Sequence, residues 1–560
     1  MAASREAGKH VMSMDRQKLR WNGWGWVEAP DVLGDKAEAV WAWVARTMRL
    51  ASLPSTPAKP LTEITLPAPR LDAGCMARLK DLVAADADPG SAVMTDAYER
   101  AFHARGRSYH DLLHLRAGRL ETAPDAVVYP ISEDEVLRVV QFAVRENIAV
   151  TAFGGGSSVV GGVTPLVAKG QKGVITVDMT RMDRILEIDE TALVARVQAG
   201  IYGPQLEEAL QAKGFTLGHY PQSFEFSTLG GWIAPRSAGH QSNKYGKAEH
   251  WLVSARVATP QGIWETEGFP GSAAGPQCRD LIAGSEGVLG IITDAVIKIH
   301  RVPEVKDYRG YLFASFEAGV AATRDMMQSG VATAMIRLSD LSETFFYNAL
   351  DTGGVGADSP AVFCVMIVGL EGGRSEVDHA LERSRAIIKQ HGGLHMGETL
   401  GASWYEKRFL TPYLRDPMMD RGLGVDTLET ATRWSNIVPL HGMVTKAIED
   451  ALAANAAFAN GACGIVMAHI SHCYRDGASL YFTFAFPRVL DREVEQWLAV
   501  KQAASDTISA QGGTISHHHG VGIDHLPWIA HEKGPIGMDV LKAVKTRVDP
   551  TGIMNPGKLL

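Results

Sequence analysis

Eleven residues constrain this chain more than any others: Ala152-Phe153-Gly154-Gly155-Gly156-Ser157-Ser158-Val159-Val160-Gly161-Gly162. They follow an amphipathic stretch in which Ser132 and Glu135 form a capping box and Val136, Val139, Val140 and Ala143 keep helical spacing through Asn147. Ile148 to Phe153 then reads as a buried strand that runs straight into the glycines. Bare backbone N–H groups and serine hydroxyls at a strand end suit a pyrophosphate lying against the main chain. Two other readings stay open here, a mobile glycine turn and a nicotinamide-type Rossmann loop. The second fits poorly, because Gly154-x-Gly156-x-x-Val159 lacks the third glycine of that fingerprint. No Walker A sequence occurs.

At 560 residues the chain has room for two or three domains. Apolar residues at 46% and charged residues at 21% describe an ordinary globular protein. A net charge of −8 argues against a nucleic-acid binder. Five unpatterned cysteines suit a reducing compartment. No stretch has the apolar length of a membrane span, no signal-peptide pattern opens the chain, and Lys558-Leu559-Leu560 is not a Ser-Lys-Leu address. A cytoplasmic enzyme is expected, with peripheral membrane contact through its substrate left open.

The glycine stretch acquires meaning from its surroundings, Pro124-Asp125-Ala126-Val127-Val128-Tyr129-Pro130 upstream and Gly284-Ser285-Glu286-Gly287-Val288-Leu289-Gly290-Ile291-Ile292-Thr293 downstream. Together the three segments resemble the FAD-binding domain of the vanillyl-alcohol-oxidase superfamily. Further segments resemble one of its families, the alkyldihydroxyacetonephosphate (alkylglycerone-phosphate) synthases of ether-lipid synthesis, over almost the whole chain. They are Leu19-Arg20-Trp21-Asn22-Gly23-Trp24-Gly25, Glu225-Phe226-Ser227-Thr228-Leu229-Gly230-Gly231-Trp232, Ile336-Arg337-Leu338, Tyr413-Leu414-Arg415-Asp416, Leu480-Tyr481-Phe482 and His517-His518-His519-Gly520-Val521-Gly522.

The resemblance implies an α+β architecture: a two-subdomain FAD-binding domain of the vanillyl-alcohol-oxidase type, an α/β cap domain and a helical N-terminal extension. The expected boundaries are 1–120 for the extension, 121–302 for the FAD domain, 303–515 for the cap and 516–560 for a turn-rich return to the FAD domain. Patterning places helices around Asp35–Met48 and Asp96–Arg105, and one from Gly203-Pro204 to about Gly214. Strands are expected at Val174–Asp178, Ala192–Gln198, Val253–Thr259 and Gly290–Ile299. In the cap, strand-like Tyr311–Phe316, Ala334–Leu338, Val362–Leu370 and Leu480–Phe486 alternate with helix-like Glu317–Gln328, Arg374–Gln390 and Val494–Ala510. Trp21, Trp24 and Trp26 read as structural anchors.

By resemblance, FAD is bound non-covalently by Ala152, Phe153, Gly154, Gly155, Gly156, Ser157 and Ser158, and by Gln222, Ser223, Phe224, Glu225, Phe226, Ser227 and Thr228. Pro235, Arg236, Ser237 and Ala238 join them, with Glu286, Gly287, Val288, Leu289, Gly290, Ile291 and Ile292. Read alone, Ser227 and Thr228 serve equally well as helix caps. Three adjacent imidazoles, His517, His518 and His519, cannot all point one way, so one or two face a site, where they can take or give a proton near neutrality. Tyr481 is more often core than catalyst in a strand of this kind. The resemblance makes it the acid/base; His219, in Gly218-His219-Tyr220-Pro221, is a weaker candidate beside the flavin loop. Arg415 is the implied phosphate ligand and Arg337 a support for substrate or flavin, a guanidinium being the side chain that forks onto phosphate oxygens.

No metal is expected. Related 2-hydroxyacid dehydrogenases carry Gly-Asp-Gly-Asn and Glu-His-Gly segments, whereas this chain has His469-Ile470-Ser471-His472-Cys473 and His518-His519-Gly520, without the second carboxylate.

The implied reaction is a non-redox use of the flavin. A proton leaves C1 of acyl-dihydroxyacetone phosphate, the fatty acid departs and a fatty alcohol takes its place, in a homodimeric enzyme. The alternatives are an FAD-linked oxidase or dehydrogenase of a 2-hydroxy acid or alcohol, and a non-catalytic flavoprotein. Pro235-Arg236-Ser237-Ala238-Gly239 and Ile523 depart from the synthase pattern close to the expected site.

Overall fold

A computed structural model describes residues 14–29, 31–83, 92–354, 362–456 and 464–560. Three sheets organise it. The first has order β1-β2-β4-β3, from β1 (Val93–Met94), β2 (Ala126–Val128), β3 (Ala149–Phe153) and β4 (Val174–Asp178). β2, β4 and β3 run parallel, and β1 closes one edge antiparallel. The amphipathic Glu133–Glu146 helix makes the crossover between β2 and β3 and buries Val136, Val139, Val140 and Ala143. Ser132 caps it by accepting from Glu135 N–H, and the helix stops at Asn147 in the left-handed region. The capping box is displaced by one residue, because the Glu135 carboxylate accepts from Ile131 N–H.

The second sheet is antiparallel, in the order β5 (Ile185–Asp189), β6 (Val194–Gln198), β10 (Ile291–Lys298), β8 (Leu252–Thr259) and β9 (Gly262–Glu265). A two-stranded ribbon joins β7 (Phe215–Thr216) to β11 (His300–Arg301).

The third sheet is antiparallel, with seven strands in the order β15 (Leu394–His395), β12 (Val305–Phe313), β14 (Cys364–Gly372), β13 (Met335–Ser339), β17 (Ile465–Cys473), β18 (Gly477–Pro487) and β16 (Leu423–Arg433). Its two faces differ. Ile336, Leu338, Ala468, Ile470, Leu480, Phe482 and Phe484 point to one side, under helices Phe316–Gln328, Ile437–Ala454 and Glu493–Ala510. Each large side chain buried there contributes about 1.5–3 kcal/mol. The alternate residues Met335, Arg337, Met467, His469, Tyr481 and Thr483 point the other way and line a cavity.

The N-terminal region contributes more than a helical layer, since β1 pairs in the first sheet and Arg16 reaches beneath the glycine segment. Before the turns of the chain's end comes a long Leu526–Val548 helix, kinked at Gly534 and Pro535. Val150 N–H then donates to Ile553 O and Asn555 N–H to Val150 O, which stitches the end of the chain to β3. Phe316 belongs to the helix capped by Ser315 and not to the strand that precedes it, because β12 starts earlier, at Val305.

Candidate active site

The glycine segment leaves β3 and crosses directly over Phe226–Thr228. A Cβ at Gly155 would collide with the Phe226 carbonyl, and Gly156 sits at φ +70. The segment lines a cavity of about 980 Å³. The amide N–H groups of Gly155, Gly156, Ser157 and Ser158 have no acceptor among the described residues. Unpaired donors on a cavity wall fit an anionic diphosphate. Arg16 braces the segment from below, donating to Gly154 O, to Thr180 Oγ1 at 2.8 Å and to Tyr129 OH at 2.8 Å while paired with buried Asp178. FAD therefore fits the residues present.

Of the residues expected to hold the flavin, Ala152 to Ser158, Gln222, Ser223, Ser227, Thr228, Pro235, Ser237, Ala238, Glu286, Gly287, Gly290, Ile291 and Ile292 line this cavity. The others do not. Phe224 is stacked on Phe409 in the core, and Phe226 is packed by Trp24, Trp26 and Tyr413. Glu225 accepts from Tyr413 OH at 3.1 Å. Arg236 points outward to Glu249, and Val288 and Leu289 are core residues of the second sheet. Ala152 to Ser158 lie along the cavity throughout, whereas the Phe224–Phe226 turn and the Val288-Leu289 pair face away from it.

The Trp-Asn-Gly-Trp-Gly motif packs on the Tyr413–Asp416 motif. Asp416 accepts from Trp24 N–H at 2.8 Å, and Gly25, at φ +83, has no room for a Cβ beside the Tyr413 ring. This contact holds Arg415 at the cavity wall, with Nη1 donating to Arg107 O at 2.8 Å.

On the facing sheet, His469 pairs with Tyr481 and Glu429 pairs with Tyr481 in register, so the three stand side by side across β17, β18 and β16. Tyr481 stacks on His469 at 5.0 Å and on His518 at 5.9 Å, and meets the His519 ring edge-on at 5.6 Å. Burial pushes its phenol up to about 12, so it rests as an acid. Burial pushes His518 down to about 3 and His519 to about 4, so both rest as neutral imidazoles. Arg337 is already engaged. It donates to His469 Nε2 at 2.9 Å and to Glu343 at 3.0 Å, and His469 Nδ1–H donates to the same carboxylate at 2.8 Å. It thus fixes the ring against which Tyr481 stacks.

Two expected roles change. His517 turns off the cavity: its Nε2 bonds Tyr474 OH at 2.5 Å and its carbonyl accepts from Lys247. His219 is enclosed by Trp232 and Trp251 with no exposure, a structural position. His472, His517 and His518 hold ring nitrogens within 4.8 Å of one another. His472 bonds Gly239 O and Ser471 Oγ, and His517 bonds Tyr474 OH and His518 Nδ1, so the rings satisfy each other and their neighbours.

One carboxylate, Glu429, was missed in the sequence, and another, Glu286, has partners beyond the flavin contact expected of it. Glu286 accepts from Val521 and Gly522 N–H, both at 2.7 Å, and burial pushes it up to about 7. Glu429 accepts from Ser516 OH and from the N–H groups of His517, His518 and His519. Leu423–Arg433 has no clean period-2 alternation, and nothing in its sequence singles out Glu429.

Comparison with known proteins agrees with this geometry. Residues 124–267 match the FAD binding domain family, and residues 302–559 match the C-terminal domain of FAD linked oxidases. The alkyldihydroxyacetonephosphate synthase of Dictyostelium discoideum is 34% identical over 97% of this chain and 94% of its own. A solved alkyldihydroxyacetonephosphate synthase superposes with a TM-score of 0.80 at 32% identity, covering 97% of this chain and 98% of that one. The 4-ethylphenol oxidase of Gulosibacter chungangensis shares the fold, with a TM-score of 0.65 at 15% identity over 88% of this chain and 98% of that one.

Proposed function

The chain belongs to the alkyldihydroxyacetonephosphate synthase family, and from that premise we propose that it exchanges the acyl group of acyl-dihydroxyacetone phosphate for a fatty alcohol, with FAD as its non-covalent cofactor. One observation carries this reading. A single cavity joins the glycine segment to Tyr481, His518, His519 and Arg415 and continues into an apolar arm walled by Leu33, Phe345, Phe346, Leu350, Met418 and Met467. A phosphate end and an aliphatic end are what such a substrate presents.

Bound flavin supplies a ring centre at which substituents on the substrate carbon are exchanged without net redox change. The protein's own residues do the rest. Arg415, oriented by Arg107 O, anchors the phosphate as a charge-assisted fork. A neutral imidazole, His518 or His519, takes the C1 proton. Tyr481, protonated at rest, donates to the oxygen that gains charge or to the leaving carboxylate. Arg337 and Glu343 hold His469, and through it the face of Tyr481. The apolar arm excludes water from the exchange.

The membrane side of this reading is a peripheral contact. It is supported by exposed Val362 and Phe363 on the cavity wall, while no helix among the described residues is long and apolar enough to cross a membrane. A cytoplasmic homodimer completes it, on composition and family resemblance. Size-exclusion chromatography and vesicle flotation test these two points.

The deciding experiment gives purified, yellow protein acyl-dihydroxyacetone phosphate and a labelled fatty alcohol. Alkyl-dihydroxyacetone phosphate with stoichiometric fatty acid release is expected. Rapid bleaching of the flavin by 2-hydroxy acids, with turnover to an electron acceptor and no alkyl product, would replace this reading with an oxidase or dehydrogenase.

A further inference from the structure

The histidine loop hangs between two acids, one from each side of the cavity, and they do different things. Glu286 touches only main chain, at Val521 and Gly522. Glu429 binds main chain at His517, His518 and His519 and also faces the rings, 3.7 Å from His518 Nδ1 and 3.6 Å from His519 Nδ1. Its four donors from Ser516 to His519, with the imidazoles beside it, keep the carboxyl well below its ordinary range although burial opposes this.

The other charges around these rings are all positive. Lys247 faces His518, while Lys501 and Arg415 face His519. The neighbouring His469, His472, His517 and His525 and the Tyr481 phenol are neutral near pH 7. A proton arriving on His518 therefore meets burial and Lys247, one arriving on His519 meets burial, Lys501 and Arg415, and Glu429 is the carboxylate that favours either.

Resting on the synthase reading above, we propose that Glu429 is the charge partner of the imidazolium that forms when His518 or His519 takes the substrate's C1 proton. It is a positioning residue that acts through the rings. The C1–H bond breaks, its electron pair stays on the substrate and delocalises into the adjacent carbonyl, and the proton forms a bond to an imidazole nitrogen. Glu429 remains ionised throughout. The arrangement is that of an acid behind a catalytic histidine, except that here the acid also fixes the loop's backbone.

Two substitutions separate charge from shape. Glu429→Gln keeps the length and removes the charge, whereas Glu429→Asp keeps the charge and shortens the reach. Holoenzyme of each is assayed for fatty acid release from acyl-dihydroxyacetone phosphate across pH 6–9, beside its flavin absorbance spectrum and FAD affinity. The charge role predicts that Gln lowers kcat about 100-fold or more with KM and the flavin spectrum unchanged, and that Asp recovers at least about tenfold of that loss. It also predicts no acid limb between pH 6 and 9 in either protein, because both rings are neutral over that range. A purely structural role predicts the reverse order, Gln better than Asp, with KM and flavin binding lost together, and that result overturns the proposal. So does full activity in the Gln variant. An inactive wild type overturns the synthase reading itself, and the inference with it.

Discussion

The two walls of the cavity are built from different materials. The flavin-side wall is main chain: Gly154 to Ser158 offer bare amides, and a glycine is required where the segment rides over Phe226. The opposite wall is side chains: Tyr481, His469, Arg337 and the histidine loop, placed by strand register and by the buried carboxylates Glu343 and Glu429. Backbone recognition tolerates almost no change in residue size but carries no titratable group. The side-chain wall tolerates substitution in shape, and its chemistry depends on who neutralises whom.

If this contrast holds, the largest loss comes from the backbone wall. Gly155→Ala should abolish flavin retention and cost about 3 kcal/mol, because its Cβ meets a carbonyl rather than a flexible side chain. Flavin content and Tm read this, and a yellow, fully stable variant would break the comparison. On the other wall, Tyr481→Phe should keep the flavin spectrum and lower kcat by about 10²–10⁴-fold, as expected for a lost proton donor. Stopped-flow release of fatty acid measures it.

Arg415→Lys retains charge and loses the fork. It should raise KM for the phosphorylated substrate by about 10–100-fold with little change in kcat, and a kcat effect without a KM effect would reassign Arg415.

The last test reads stability against pH and involves many groups at once. Burial holds His110 and His114 at about 4, His219 at about 3, His518 at about 3, His519 at about 4 and His525 at about 3. The unfolded chain therefore binds more protons than the folded one once pH falls below about 6.5, and stability present above that pH is lost on acidification, by up to about 1.4 kcal/mol per pH unit per ring. Glu286 and Asp524, both raised to about 7 by burial, act in the opposite sense between pH 7 and 4.5. Six rings outweigh two carboxyls, so Tm should fall from pH 7 to pH 5. A Tm that rises over that range would mean the imidazole wall is wetter than the structure has it.

How much of this was legible in advance follows the same division. Helices such as Arg374–Gln390 and strands such as Val174–Asp178 were readable at their observed limits, because their periodicity is local. The strands Leu423–Arg433 and Ile465–Cys473 passed unread, since Asp426, Glu429, His469 and His472 blur their alternation. Those polar residues are the ones the far side of the sheet needs. Arg337 was singled out by its segment, but its engagement with His469 and Glu343 depends on which strands lie next to each other.

The amino-acid order alone determined the glycine segment, the capped helix before it and the presence of a tyrosine and a histidine run with family character. Steric allowance and helical or strand period are properties of neighbours along the chain. Only the tertiary structure decided that Glu429 and Glu286, respectively 88 and 235 residues from the nearest loop amides they accept from, hold the histidine loop, and that His517 turns away while His518 and His519 face the cavity. Electrostatic partnership depends on distance through space, and sequence separation carries no record of it.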